Sequence, residues 1–152
     1  MKLAEALTRR ADVQRRIEGM RGRLRAGALV QEGEEPPERP DELLVEVEEL
    51  LRELEGLILR INRTNLGATL ADGTVITEAL ARRDVLALRH SLLGTLVQTA
   101  SERVPRFGRS EIRILSTVEV APLRRRMDDV AKERRELDTA IQEANWTTEL
   151  ME

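Results

Sequence analysis

DELLVEVEELLRELEGLILRINRTN, residues 41–65, is the stretch whose reading decides the fold. Leu43, Val47, Leu50, Leu54, Leu57 and Ile61 alternate by four and three, the spacing that keeps side chains on one face of an α-helix. Leu44, Leu51 and Ile58 form a second row beside the first. A double row is wider than the seam of a two-stranded coiled coil, so this helix is expected to touch more than one neighbour. Glu48 and Arg52 stand at i and i+4 in the favourable order. Asp41 is the expected N-cap, with Glu42 in the positive end of the helix.

The same rhythm recurs on both sides. Over about 3–29, Leu3, Ala6, Leu7, Val13, Ile17, Met20, Leu24 and Ala28 share a stripe that Arg10 interrupts. The stem of Arg10 can cover apolar surface while its head reaches water. Over about 77–102, Ala81, Val85, Leu88, Leu92 and Leu96 make a stripe that Leu86, Leu93 and Val97 widen. Over about 121–145 the members are Leu123, Met127, Val130, Leu137, Ile141 and Ala144. QEGEEPPERP (31–40) separates the first two segments, because its adjacent prolines remove backbone donors and fix φ.

Two stretches break the helical pattern. In INRTNLGATLADGTVITEALARRD (61–84), Asn65 and Gly67 tolerate positive φ and suit a helix end. Asp72-Gly73 is a hairpin-turn dipeptide between Thr69-Leu70 and Thr74-Val75-Ile76, and Thr77 can cap the next helix. In EIRILSTVEV (111–120) apolar residues alternate with polar ones, which argues for a strand that could pair with 69–76. Alternatively, Ser116-x-x-Glu119 is a capping box opening a helix; Pro122 in its second turn counts against that. The predicted fold is therefore mainly α: an antiparallel bundle of four long helices with a small β hairpin or strand element at one end. It forms one domain, 1–152.

Composition narrows the chemistry. The 152 residues are 41% hydrophobic and 35% charged, and Trp146 and Phe107 are the only aromatics. The core must be aliphatic, and Trp146 is expected to plug a bundle end. With no cysteine, disulfides, thiolate catalysis and zinc–thiolate sites are excluded. The N-terminal stretch lacks a signal-peptide h-region, and no run approaches the ~18 apolar residues of a membrane span. A cytoplasmic protein without membrane contact is expected, so the sequons at Asn62 and Asn145 carry no glycosylation meaning. Residues 1–30 hold eight Lys/Arg against three Asp/Glu, and residues 31–60 hold three against eleven. The first two helices should therefore face each other with complementary charge. The acidic neighbour and the lack of stacking aromatics argue against nucleic acid.

Catalytic constellations are missing. A di-iron bundle wants Glu-x-x-His motifs, but the only His is His90 and Ala87 precedes it by three. Asp84 and His90, six apart, lie on opposed faces. Ser91 and Ser101 are poorly placed for a relay with His90. No phosphate-cradling glycine loop occurs. No metal, cofactor or enzymatic activity is expected. The residual candidate is a polar cluster of Asn62, Arg63, Asn65, Arg82, Arg83 and Asp84, which could hold a small ligand or anion near the start of the third helix. The competing reading of these residues is ion pairing between helices.

ALVQEGEEP (28–36), INRTN (61–65), EALARRDVLALRH (78–90), RSEI (109–112) and LDTAIQEANWTTEL (137–150) together resemble the septicolysin-like family of small bacterial proteins of unknown function. The resemblance spans most of the chain. It implies a mostly helical, cytoplasmic bacterial protein, and the family label implies a pore-forming cytolysin; it supplies no catalytic residue. The wide apolar faces of the second and third helices predict a homo-oligomer, a structural or interaction protein rather than an enzyme.

Overall fold

The computed structural model describes residues 1–102 and 112–152. Among the described residues, four helices follow in order: α1 (Leu3–Gly27), α2 (Pro40–Gly67), α3 (Ile76–Ser101) and α4 (Val120–Thr147). The chain divides into two compact units, residues 1–76 with 142–152, and residues 77–141.

The first unit is built on an antiparallel pair. Leu3, Ala6, Val13 and Met20 of α1 are buried with Leu43, Leu50, Leu57 and Ile61 of α2, the members of the first apolar row at 41–65. Charge borders this seam. Arg9 pairs with Glu53, Arg16 with Glu46, and Arg23 with Glu38 just ahead of α2, so rising numbers on α1 meet falling numbers on the second segment. The basic first segment thus lies against the acidic second one. Arg23 and Arg9 hold the Glu38 and Glu53 carboxyls below the usual glutamate range, chiefly by direct hydrogen bonds. Arg10 sits in the α1 seam with its Nε buried and without a hydrogen-bond partner.

The two chain ends meet in this unit. The Leu3 amide donates to the Thr148 carbonyl at 3.0 Å, and the Leu150 amide to the Met1 carbonyl at 2.9 Å. Thr64, fully buried, donates to the Arg60 carbonyl at 2.8 Å and accepts from the Met151 amide at 2.9 Å. Glu149 pairs with Lys2 at 2.7 Å and with the Met1 ammonium at 3.3 Å; the Lys2 hydrogen bond, then that of the ammonium, lowers its pKa.

The second unit joins α3 to α4, again antiparallel. Leu86, Leu93 and Val130 form its core, with Leu123, Met127 and Leu137 packed around them. Arg82 pairs with Glu133, and Arg83 approaches Asp138 at 3.9 Å.

Several expectations are corrected. The expected β hairpin does not form at 69–76. Residues 69–75 make a tight turn with one isolated bridge, Thr69 to Val75. Leu70 donates to the Thr74 carbonyl at 2.8 Å, the Asp72 carboxylate accepts from the Thr74 amide at 2.9 Å, and Gly73 takes φ +86°. The flanking pieces are too short for a ladder, so the Asp-Gly turn forms without strands. Residues 112–119 form no strand, and the Ser116 hydroxyl bonds locally to Val118 instead. An alternating pattern needs a partner edge, and none of the described residues supplies one. Helix α4 opens at Val120 with Pro122 in its first turn, where its missing N–H costs no helical bond. Residues 103–111, with Phe107, Arg109 and the start of the alternating stretch, lie outside the described residues.

Helix α2 starts one residue early, with Pro40 at its first turn and Arg39 as an N-cap lacking a side-chain bond. Proline's fixed φ and absent donor suit that position better than Asp41 suits the cap. The helix closes on extended Ala68 rather than on a left-handed residue, and Gly33 and Gly73 are the positive-φ residues among those described. Trp146 is 61% exposed rather than packed into a bundle end, while Ala144 and Asn145 beside it are buried. On α3 the expected stripe is reversed. Leu86, Leu93 and Val97 are buried, while Ala81, Val85, Leu88, Leu92 and Leu96 face solvent. Both faces of this helix are apolar, so spacing alone does not say which one meets α4.

Candidate interaction surface

The six predicted site residues fall into two groups. Asn62, Arg63 and Asn65 occupy the last turns of α2 in the first unit. Asn62 and Arg63 are exposed and Asn65 is half-buried. Arg63 donates to the Glu152 carbonyl at 3.0 Å. Arg82, Arg83 and Asp84 belong to the second unit, where Arg82 pairs with Glu133 and Arg83 with Asp84 at 3.0 Å. All three arginines are thus engaged by protein oxygens, Arg63 by a main-chain carbonyl and Arg82 and Arg83 by carboxylates.

An open groove of about 640 Å³ lies elsewhere in the first unit, lined by Met1, Glu5, Arg9, Arg52, Glu53, Gly56, Leu57 and Arg60. Arg9 is held there by both Glu53 oxygens, and Glu5 accepts the Lys2 amide at 2.7 Å. Arg60 donates to the Met151 carbonyl at 3.2 Å. Arg52 makes no ion pair among the described residues, including the expected one with Glu48. Sequence reasoning missed this groove, although Arg52, Gly56 and Arg60 at i, i+4 and i+8 place two long cations on either side of a gap. Among the described residues, no group of three or more His, Asp or Glu is placed to hold a metal ion.

The largest unexplained feature is apolar. On α2, Leu44 is 50%, Leu51 41% and Ile58 36% exposed; on α3, Val85 is 54%, Leu88 60%, Leu92 63% and Leu96 42% exposed. Each set recurs at three-, four- or seven-residue steps, so each forms a continuous stripe on the face turned from its own core. Single exposed leucines are ordinary; aligned rows of them mark interaction surfaces. The α2 stripe is the second row of the 41–65 stretch. No helix among the described residues is long and apolar enough to cross a membrane.

A functionally unknown conserved protein from Corynebacterium diphtheriae has a crystal structure similar to this chain. It matches with a TM-score of 0.92 at 41% sequence identity, covering 99% of each chain. No curated protein matches. The septicolysin-like resemblance is overturned, and with it the cytolysin that the label implied. The strings that suggested it all fall inside a different family's match, and neither comparison points to a lytic protein. The family profile that does match spans residues 10–150, and on that match the chain belongs to DUF6847, a family of unknown function.

Proposed function

We propose that this chain is a non-enzymatic interaction protein that works as a homo-oligomer. The observation that carries the reading is the pair of exposed leucine-rich stripes on α2 and α3. Covering a side chain that is already half-buried is worth about 1 kcal/mol. The seven stripe residues together therefore offer enough to offset the cost of association once two copies meet. A symmetric assembly is the usual way a chain covers a face it cannot cover alone. The two units act in it as one domain, 1–152, with α4 contributing residues to both.

The test is light scattering on the purified chain and on Leu51→Glu and Leu92→Glu. The wild type should form a defined oligomer, and each variant should lose mass while keeping its helical circular dichroism. Variants that stay assembled would remove the reading.

A second reading, a small-anion binder, finds support in the unpaired Arg52 beside Arg60 in the α1–α2 groove. A thermal-shift response to phosphate or a dicarboxylate that disappears in Arg52→Ala would support it. A flat response in the wild type would not. The Asn62, Arg63, Asn65, Arg82, Arg83 and Asp84 set remains the alternative anion site, tested in the same assay by Arg83→Ala.

A further inference from the structure

The stripes on α2 and α3 carry the same layout with opposite charge. On α2, Glu48 stands three residues before Leu51 and Glu55 four after it. On α3, Arg82 stands three residues before Val85 and Arg89 four after it. An apolar residue also stands three and seven positions further on: half-buried Leu54 and exposed Ile58 on α2, exposed Leu88 and Leu92 on α3. Val47 and Ala81 both stand four before. Positions three before and four after a stripe residue flank it on the helix surface, so each stripe has one charged edge. That edge is acidic on α2 and basic on α3. Glu48, Glu55 and Arg89 are exposed and make no ion pair within the chain among the described residues. Arg82 keeps most of its surface in solvent beside Glu133.

We infer that the α2 stripe of one copy docks on the α3 stripe of a second copy. This rests on the homo-oligomer reading and adds which faces meet. Like stripes are poor partners for themselves: α2 on α2 would set Glu48 and Glu55 against the same acids, and α3 on α3 would gather four arginines. The mixed pairing sets two acids spaced seven apart against two arginines spaced seven apart when the two helices run antiparallel, the orientation that brings the same edge of each stripe together. The apolar rows supply the affinity and the charged edges select the partner face. A two-fold axis generates the contact twice, α2 on α3 and α3 on α2, which closes the assembly as a dimer and leaves neither stripe open.

The experiment mixes two full-length variants. The first is Glu48→Arg/Glu55→Arg. The second is Arg82→Gln/Arg89→Glu, with glutamine at 82 because a glutamate there would face Glu133. Each alone should dissociate at least about tenfold more readily than wild type. Mixed at equal concentration, they should recover a wild-type-like heterodimer, because basic α2 then meets acidic α3 and the second seam is unaltered. In this cysteine-free chain, Leu51→Cys and Leu88→Cys chains mixed under oxidation should yield the mixed disulfide in preference to either homotypic one. A wild type that dimerises, with variants that keep full affinity or fail to rescue each other, would overturn the α2–α3 pairing and leave the homo-oligomer standing. So would homotypic disulfides only. A monomeric wild type would overturn both.

Discussion

At the scale of single residues, the clearest constraint is Thr64. Its hydroxyl is fully buried and bonded on both sides, donating to the Arg60 carbonyl and accepting from the Met151 amide. Thr64→Val keeps the shape but leaves the Met151 N–H without its acceptor, which should cost about 1–3 kcal/mol. Urea unfolding should show a lower midpoint with an unchanged slope; an unmoved midpoint would mean that the hydroxyl contributes nothing. Arg10 is the converse case. Its Nε is buried and unpaired, so Arg10→Met should fill the α1 seam without an unsatisfied donor and raise the melting temperature. A lower melting temperature would show that the guanidinium earns its place. Gly27 allows no side chain: a Cβ there would lie 2.8 Å from the Glu38 carbonyl oxygen. Such facts were not legible in the sequence. Arg10 was visible as an interruption of the apolar spacing, but its missing partner depends on the atoms opposite. Thr64 looked like one polar residue in a polar stretch.

At the scale of elements, the α1–α2 pairing was legible because two independent signals agreed, the 3,4 spacing and the opposed charges of residues 1–30 and 31–60. The pairing carries a pH dependence. Arg23 and Arg9 depress the pKa values of Glu38 and Glu53, and Lys2 and the Met1 ammonium depress that of Glu149. A carboxyl whose folded pKa is lowered stabilises the fold fully above its unfolded pKa, about 4.3. That contribution fades as pH falls through the depressed folded value. Thermal unfolding should therefore be insensitive to these groups near neutrality and weaken below about pH 4. Glu53→Gln should flatten part of that acid limb; an unchanged limb would mean that the Arg9 pair does not act on stability. Helix α3 was legible in place and length but not in orientation. Leucines lie on two faces, and only the positions of Val130 and Met127 decide that Leu86 and Leu93 turn inward. The β element failed for a similar reason: Asp72-Gly73 specifies a turn, while a ladder needs a partner edge that two or three flanking residues cannot make.

At the scale of the whole molecule, the candidate polar site and the candidate surface fared differently. Arg63, Arg82 and Arg83 belong to a polar cluster that the sequence leaves open between anion binding and ion pairing, and each is engaged by an oxygen of the chain. The second row Leu44, Leu51 and Ile58 was visible from its seven-residue repeat and stands open in the fold. An apolar row that no helix of its own unit covers is the feature that a single chain leaves unresolved. The most direct measurement of the account is sedimentation equilibrium of the wild-type chain across a range of micromolar concentrations. The account predicts a closed species of twice the 17.2 kDa chain mass; a single species of 17.2 kDa at every concentration would contradict it.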